Sequence, residues 1–286
     1  MKKDLAACTV HIIGLGLMGG SLAMALRGKV ARLTAEDIAP DVLDAALAQG
    51  VIDAVGQGDD ADIVVLAIPT HLIIELVPAL QVRPGALVID LGSTKTRICD
   101  ALDHLPPDVM AVGGHPMCGV AENGFRHAIP TLYHGARFVL CETRRTTDDA
   151  RALAEALARA AGAQPLWMDR ARQDHLTALT SHLPHLLSFA LMRLAMDGAA
   201  EDTALYELAA GGFDGATRLA RTDAAMIVGM FSTNADQIRQ MTGQLRAHLD
   251  RLESLLDAPG DLDAELGTIV EARRAYTAAY GERLIT

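Results

Sequence analysis

No apolar stretch in this chain approaches the ~20 uninterrupted residues that a membrane-spanning helix needs, so no membrane span is expected. Cysteine is sparse and scattered. Cys8, Cys99, Cys118 and Cys141 form no C-x-x-C pair, which argues against a zinc knuckle or a disulfide framework and makes reduced thiols in a cytoplasmic compartment the expectation. No H-E-x-x-H pattern, histidine-rich tract, internal repeat or low-complexity segment is present, so metal is not expected. Net positive charge is missing too. The balance of −11 argues against nucleic acid or an anionic membrane surface as partner. An acidic chain that takes an anionic small molecule must therefore supply a local cation at its site.

The N-terminus imitates a secretory signal, because Lys2 and Lys3 precede "LAAC" and an apolar stretch. The order is wrong, since the small-residue site ending at Cys8 comes before the apolar stretch instead of after it, and the segment reads as mature protein.

The 286 residues suffice for two domains. The run 9–13 is β-rich, breaks at glycines and resumes with helix formers. A second strand is expected over 30–37 and a helix over 41–49, ended by Gly50. "ADIVVLAIP" and "GALVIDLG" are continuous apolar runs, as strands covered on both faces of a parallel sheet require; "VMAVGG", "ARFVLCE" and "QPLWMD" continue the series. Strands alternating with helices predict an α/β, Rossmann-type doubly wound domain over residues 1–168. An all-α domain is expected over 169–286, with helical patterns at 169–197, 202–209, 222–257 and 261–283. Within the third, Ile238, Met241, Leu245, Leu252 and Leu255 form a stripe at helical spacing, read as a core or subunit-contact face. A homodimer is the expected assembly.

"GLGLMGG" places Gly14, Gly16 and Gly19 in G-x-G-x-x-G spacing, with Leu17 and Met18 between them, after a strand and at the start of a helix. In that context the glycines allow a tight turn, close approach of a pyrophosphate and close helix packing, while the helix N-terminus offers free N–H groups to phosphate. The fingerprint's acid is expected about 20 residues on; Asp37 is best placed, with Glu36 as the register alternative. A carboxylate there accepts bonds from ribose hydroxyls and repels a 2′-phosphate. Ile38, Ala39 and Pro40 offer no arginine to hold one, so NAD is favoured over NADP.

Ligands of open α/β sheets bind beyond the carboxyl ends of the strands. Three segments bring polar groups there: "IPTH" with Ile68 and Pro69, "DLGSTK" with Ser93 and Lys95, and "GGHPMCG" with His115. Ser93 and His115 follow neighbouring strands and are expected within hydrogen-bond reach of each other. An alcohol oxidation needs a base for the hydroxyl proton, a role that imidazole fills near neutral pH, although a histidine satisfying a buried turn fits the same pattern. Ser93 would orient that base or the nicotinamide. Lys95 is read either as a substrate contact or as a solvated lysine at a helix start.

"GLGLMGGSLA", "DLGSTK", "GGHPMCG", "SHLPH" and "ATRLARTD", in this order, resemble the prephenate and arogenate dehydrogenase family of tyrosine biosynthesis over nearly the whole chain. The resemblance implies NAD(P)-dependent oxidative decarboxylation of a cyclohexadienyl carboxylate. It assigns His115 as the catalytic histidine that accepts the 4-hydroxyl proton and Ser93 as its neighbour at the nicotinamide. His182 would line the substrate pocket, and Arg218 would grip a substrate carboxylate, which meets the need for a local cation. A solvated role for Arg218 is the alternative. His182 and His185 around Pro184 have no third metal ligand; His71, His104, His127, His134, His175 and His248 are read as structural or surface residues, and Cys118 as a packing residue.

The chain departs from the family where "GGF" is followed by Asp214-Gly215-Ala216-Thr217-Arg218 instead of Arg-Asp-Phe-Thr-Arg, and where Ile227 replaces an aromatic residue. Both departures fall on the expected substrate side. They leave prephenate, arogenate and an amino-substituted relative of specialised metabolism open, as well as a non-catalytic NAD-binding sensor. The β-hydroxyacid dehydrogenases combine similar domains but use a lysine from the helical part, and every lysine here (Lys2, Lys3, Lys29, Lys95) precedes residue 96. No ACT-type regulatory domain is expected, so any tyrosine inhibition would act at the active site. Replacing Asp37 by Ala is predicted to erode the preference for NAD over NADP, measured as the ratio of kcat/KM for the two cofactors; an unchanged ratio would contradict the assignment.

Overall fold

A computed structural model describes residues 4–119 and 122–281. Lys2 and Lys3 of the signal-like start, and the expected helix end at 283, lie outside the described residues. The chain forms two compact units that meet in sequence between Ala235 and Asp236.

The first unit is organised by one eight-stranded sheet in the order β3-β2-β1-β4-β5-β6-β7-β8. The strands are β1 (Thr9–Ile13), β2 (Arg32–Glu36), β3 (Ala54–Val55), β4 (Ile63–Leu66), β5 (Leu87–Asp90), β6 (Met110–Pro116), β7 (Arg137–Glu142) and β8 (Gln164–Trp167). Period-2 alternation divides their side chains between two cores. Val10, Ile12, Ile63, Val65, Leu87 and Ile89 pack on one face, and Ile13, Val64, Leu66 and Val88 on the other. Helices α1 (Leu17–Leu26), α2 (Pro40–Ala48), α3 (Thr70–Leu76), α4 (Thr96–Leu102) and α5 (Asp148–Ala160) cover these faces. The chain runs outward from β1 and then jumps back to β4, so the strand order reverses between β1 and β4. That reversal opens the crevice used by ligands in such sheets.

Two details differ from the sequence reading. β3 was not foreseen, because two residues carry too little periodicity. The sheet is mixed, since β6 and β7 pair antiparallel. Among the described residues, the connection between them holds a 3₁₀ turn (Phe125–His127) and no crossover helix of the kind that parallel neighbours require.

The chain then turns helical: α6 (Arg170–Thr177), a π turn (Ala178–His182), α7 (Leu183–Glu201), α8 (Ala204–Glu207), α9 (Gly211–Thr217), a 3₁₀ turn (Arg218–Arg221) and α10 (Ala224–Thr233). The helix expected over 169–197 is thus interrupted. Pro184 has no N–H to continue the ladder, and the π turn absorbs the mismatch at His182. The Gly-rich segment between the patterns expected at 202–209 and 222–257 contains helix α9, which lies against α7. Packing outweighs the poor helix propensity of its glycines. The pattern at 222–257 is cut at Asn234 (φ −128°, ψ 27°), whose side chain is drawn into tertiary hydrogen bonds.

The second unit contains a helix pair, α11 (Ala235–Ser254) and α12 (Pro259–Tyr280), clasped by a bidentate Arg251–Glu265 ion pair with bonds of 3.1 and 2.8 Å. Of the stripe on α11, Ile238 and Met241 are buried, whereas Leu245, Leu252 and Leu255 are half-buried. The pair leaves Leu249, Leu256, Leu266, Ile269 and Val270 exposed.

The carboxyl ends of β5 and β6 are locked together from below. The Lys95 side chain turns inward, fully buried, and its Nζ pairs with Asp90 Oδ2 and donates to the Gly114 carbonyl at 2.6 Å. Asp90 in turn accepts the N–H of Gly92 (2.8 Å) and of Gly114 (2.9 Å). Burial pushes the Asp90 carboxyl upward, while Lys95 and these two amides pull it back. Both readings of Lys95 are thereby corrected: its ammonium is neither solvated nor offered to a substrate. Sequence spacing showed a helix start but not that an acid five residues earlier would claim the lysine. Gly114 serves this lock, since a Cβ there would sit 2.3 Å from the Asp90 carbonyl oxygen, while a Cβ on Gly113 would meet Cys99 Sγ at 2.5 Å. Substituting Lys95 by Met strands the buried Asp90 charge and is expected to cost roughly 3–5 kcal/mol in denaturant-induced unfolding. A loss below about 1 kcal/mol, the scale of an exposed pair, would contradict the buried pair.

Candidate active site

At the β1–β4 crevice the glycine loop has the shape that its spacing implies. Gly14 adopts φ +96°, and a Cβ there would lie 2.7 Å from the Ala67 carbonyl oxygen and from Ile68 Cγ2. A Cβ on Gly19 would meet the Gly14 carbonyl oxygen at 1.9 Å, so helix α1 can sit this close to the loop only with glycine. Gly16 faces open space and caps α1 with no side-chain partner, leaving N–H groups for an anion. Leu17 is buried and Met18 half-buried, its carbonyl held by Tyr133 Oη at 2.8 Å; Ile68 and Pro69 flank the loop from the end of β4.

Asp37 stands just beyond β2. Its Oδ2 accepts the Leu15 amide at 2.7 Å and its Oδ1 the Ala39 amide at 2.9 Å. It therefore braces the glycine loop, a task the sequence did not reveal, and each oxygen keeps a lone pair for a ribose hydroxyl. Beside it Ile38 is fully exposed, an apolar surface that a flat base would cover. An open loop over a helix N-terminus, flanked by a strand-end acid, fits a dinucleotide.

His115 lies on β6, next to Gly114 of the lock. The ring is held neutral: burial, then the Lys95 charge, then His182 bring its pKa down to about 3. Its Nδ1 accepts a hydrogen bond from Gln173 Nε2 at 2.6 Å, and the same amide nitrogen lies 3.3 Å from the Ser93 carbonyl oxygen. Ser93 and His115 are thus joined through Gln173 of α6. The sequence offered no signal for this residue, because it sits in a polar helix start without motif character. The neighbouring Asp174 accepts the Lys95 and Thr96 amides at 2.6 and 2.8 Å, capping α4 and anchoring α6 to the sheet.

His182 is fully buried at the end of the π turn. Asn234 Nδ2 bonds both the Asp174 carbonyl (2.8 Å) and His182 Nδ1 (3.1 Å), so the neutral ring carries its proton on Nε2. That Nε2 has no hydrogen-bond partner among the described residues, and a buried donor left in this state calls for a ligand or water. Burial, with a smaller contribution from His185, lowers the His182 pKa to about 4. Arg218 is half-buried at the start of the 3₁₀ turn after α9 and forms no ion pair among the described residues; burial lowers the pKa of His185, and the Arg218 charge adds to this in smaller measure. Ile227, the replaced aromatic, is buried in α10.

Among the described residues no group of three or more His, Cys, Asp or Glu side chains is placed to hold a metal ion, and no helix is long and apolar enough to cross a membrane. Cys8, Cys99 and Cys141 are buried and Cys118 is half-buried, and none of them is in a disulfide.

Two family models match the chain: prephenate dehydrogenase, nucleotide-binding domain, over residues 22–165, and prephenate dehydrogenase, dimerization domain, over 169–269. A prephenate dehydrogenase of Lactococcus lactis is 32% identical over 264 residues, covering 88% of this chain and 70% of that protein. A cyclohexadienyl dehydrogenase of Zymomonas mobilis is 28% identical over 285 residues, covering 94% and 95% of the two chains. A crystal structure of prephenate dehydrogenase from Aquifex aeolicus, in complex with hydroxyphenyl propionate and NAD+, superposes with a TM-score of 0.89 at 27% identity, over 96% of this chain and all of that one. The resemblance carried by the motifs is borne out. With a Rossmann-type sheet bearing an open dinucleotide loop, followed by an all-α part, the chain belongs to the prephenate dehydrogenase family of NAD-dependent oxidoreductases.

Proposed function

We propose that this chain oxidatively decarboxylates a cyclohexadienyl carboxylate, prephenate or arogenate or both, with His115 as the base. The observation that carries the reading is a neutral imidazole at the carboxyl end of β6, joined by Gln173 to Ser93, in a sheet whose crevice holds an open dinucleotide loop. When bound, NAD supplies the hydride acceptor. Gly14, Gly16, Leu17, Met18 and Gly19 would hold its pyrophosphate, Asp37 its adenosine ribose, and Ile68, Pro69 and Ser93 would line its path toward the nicotinamide.

In the reaction the substrate O–H bond breaks and its proton passes to His115. The O–H electron pair becomes the carbonyl bond as hydride leaves the same ring carbon. Loss of CO2 and return of a proton to oxygen then give the aromatic phenol. His115 suits the step because a base must be unprotonated beforehand, and burial together with Lys95 keeps it so. Arg218 pairs a substrate carboxylate, and His182 donates its unpartnered Nε2–H to the ligand. Residues from 169 onward form the substrate-side and assembly part. The exposed Leu249 of α11, Leu256 of the turn after it, and Leu266, Ile269 and Val270 of α12 support a homodimer through this part.

The reading is tested by mixing the pure protein with NAD and either prephenate or arogenate and following NADH and product. Turnover of at least one is expected; NAD binding without turnover of either would contradict it and redirect attention to an amino-substituted ring or a sensor. Substituting His115 by Asn is expected to lower kcat about 10²- to 10⁴-fold with little change in KM. Substituting Arg218 by Ala should chiefly raise KM, as loss of a uniform carboxylate contact does. Because the His115 pKa is lowered, the neutral base persists as pH falls, so the acidic limb of kcat/KM should lie well below the ordinary imidazole value of 6.5. A limb at or above 6.5 would show a ring that the protein does not hold neutral.

A further inference from the structure

We propose that Gln173 is a positioning residue that decides which ring nitrogen of His115 carries the proton, by turning its carboxamide between two orientations at Nδ1. The proposal rests on the reading of His115 as the base and assigns a role to a residue that does not touch the reacting atoms.

Gln173 is 1% exposed and reaches from α6 to the ends of two strands. Its Nε2 meets two groups at once, the Ser93 carbonyl oxygen and His115 Nδ1. A carbonyl only accepts, so the NH2 end of the carboxamide faces this pair, and one N–H goes to each. Nδ1 is therefore an acceptor, and the neutral ring of the resting protein carries its proton on Nε2. This tautomer cannot take a proton from a substrate hydroxyl at Nε2, because the lone pair needed there is already used.

The other tautomer frees Nε2 but places a hydrogen on Nδ1, facing the NH2 group. The conflict is removed by a half-turn of the carboxamide, which presents Oε1 at the same point. That oxygen is buried and, among the described residues, has no hydrogen-bond partner in the resting arrangement, so the turn gives it one. The turn gives up the bond to Ser93, which favours the NH2 orientation until a hydroxyl donates to Nε2. Substrate thus selects the working tautomer through a contact made in only one of the two states. The O–H bond then breaks, the Nε2–H bond forms, and the imidazolium rests on Oε1.

The charged groups around the ring are consistent with an amide in this place. Lys95 and His182 both oppose charge on His115. The Asp90 carboxylate is committed to Lys95 and two backbone amides, and that of Asp174 to the amides of Lys95 and Thr96. Where a serine hydrolase orients its histidine with a carboxylate that fixes one tautomer, this site uses a group able to serve either.

The test combines nitrogen-15 NMR of histidine-labelled, unliganded protein with kinetics of the full chain. The His115 resonances, identified by their loss in His115→Asn, should show the Nε2–H tautomer in the native protein. In Gln173→Glu the side chain accepts only, so the tautomer should switch to Nδ1–H and the acidic limb of kcat/KM should move up by about one pH unit or more. Gln173→Leu should lower kcat on the order of 10- to 100-fold, as loss of a group orienting a working histidine does, with KM changed less than about threefold. A native Nδ1–H tautomer, or an unshifted tautomer and pH limb in Gln173→Glu while His115→Asn is inactive, would overturn the role of Gln173 alone. Near-native kcat in His115→Asn would overturn the reading of the base beneath it.

Discussion

A lysine ammonium buried with no access to water is the constraint on which this site is built. Lys95 is tolerable there only because Asp90 and the Gly114 carbonyl meet it, and Asp90 only because Lys95 and two backbone amides meet the carboxylate. Satisfying those groups ties β5, the start of α4 and the end of β6 into one block. It also explains the glycine directly before His115: the strand must approach Asp90 closely enough for both the N–H and the C=O of Gly114 to join the lattice. The same charge, close to the imidazole, disfavours a second cation there. One buried pair thus fixes the structure at this end of β6 and, after burial of the ring itself, helps keep His115 uncharged.

The helical segment after β8 is attached to that block through adjacent residues of α6. Asp174 caps α4, Gln173 engages His115 and Ser93, and the Asp174 carbonyl continues through Asn234 to His182. A polar chain therefore links the proposed base to the proposed substrate-side histidine without passing through solvent. It also accounts for two helix interruptions, the π turn at His182 and the break at Asn234. Both place polar side chains inward where an uninterrupted helix would not.

Much of the fold could be read from residues alone. The β1 limits, the continuous apolar strands and the glycine loop follow from periodicity and from steric demands at Gly14 and Gly19, which are local properties. The antiparallel β7 and the short β3 were not legible, since strand direction and two-residue pairing depend on neighbours distant in sequence. Among site residues, Ser93, His115, His182 and Arg218 stand in motifs, and the structure puts them in the first unit, Ser93 in the loop after β5, His115 on β6, His182 in the π turn and Arg218 in the 3₁₀ turn after α9. Lys95 was misread because its partner is an acid whose own sequence context, a strand end, suggested nothing. Gln173 was missed because an amide in a polar stretch carries no chemical signature until the fold sets it against an imidazole. The segment around Arg218 was legible as a departure from the family but not as helix α9, where packing against α7 prevails over glycine content.

The central claim, that β6 presents an uncharged imidazole to a hydroxyl-bearing ring beside the dinucleotide crevice, is tested most directly by a crystal structure of this chain with NAD and a hydroxyphenyl carboxylate. The account predicts the phenolic oxygen within hydrogen-bond distance of His115 Nε2, the carboxylate on Arg218 and the pyrophosphate over Gly16. A ligand bound with its hydroxyl away from His115, or a dinucleotide lying outside the glycine loop, would contradict it.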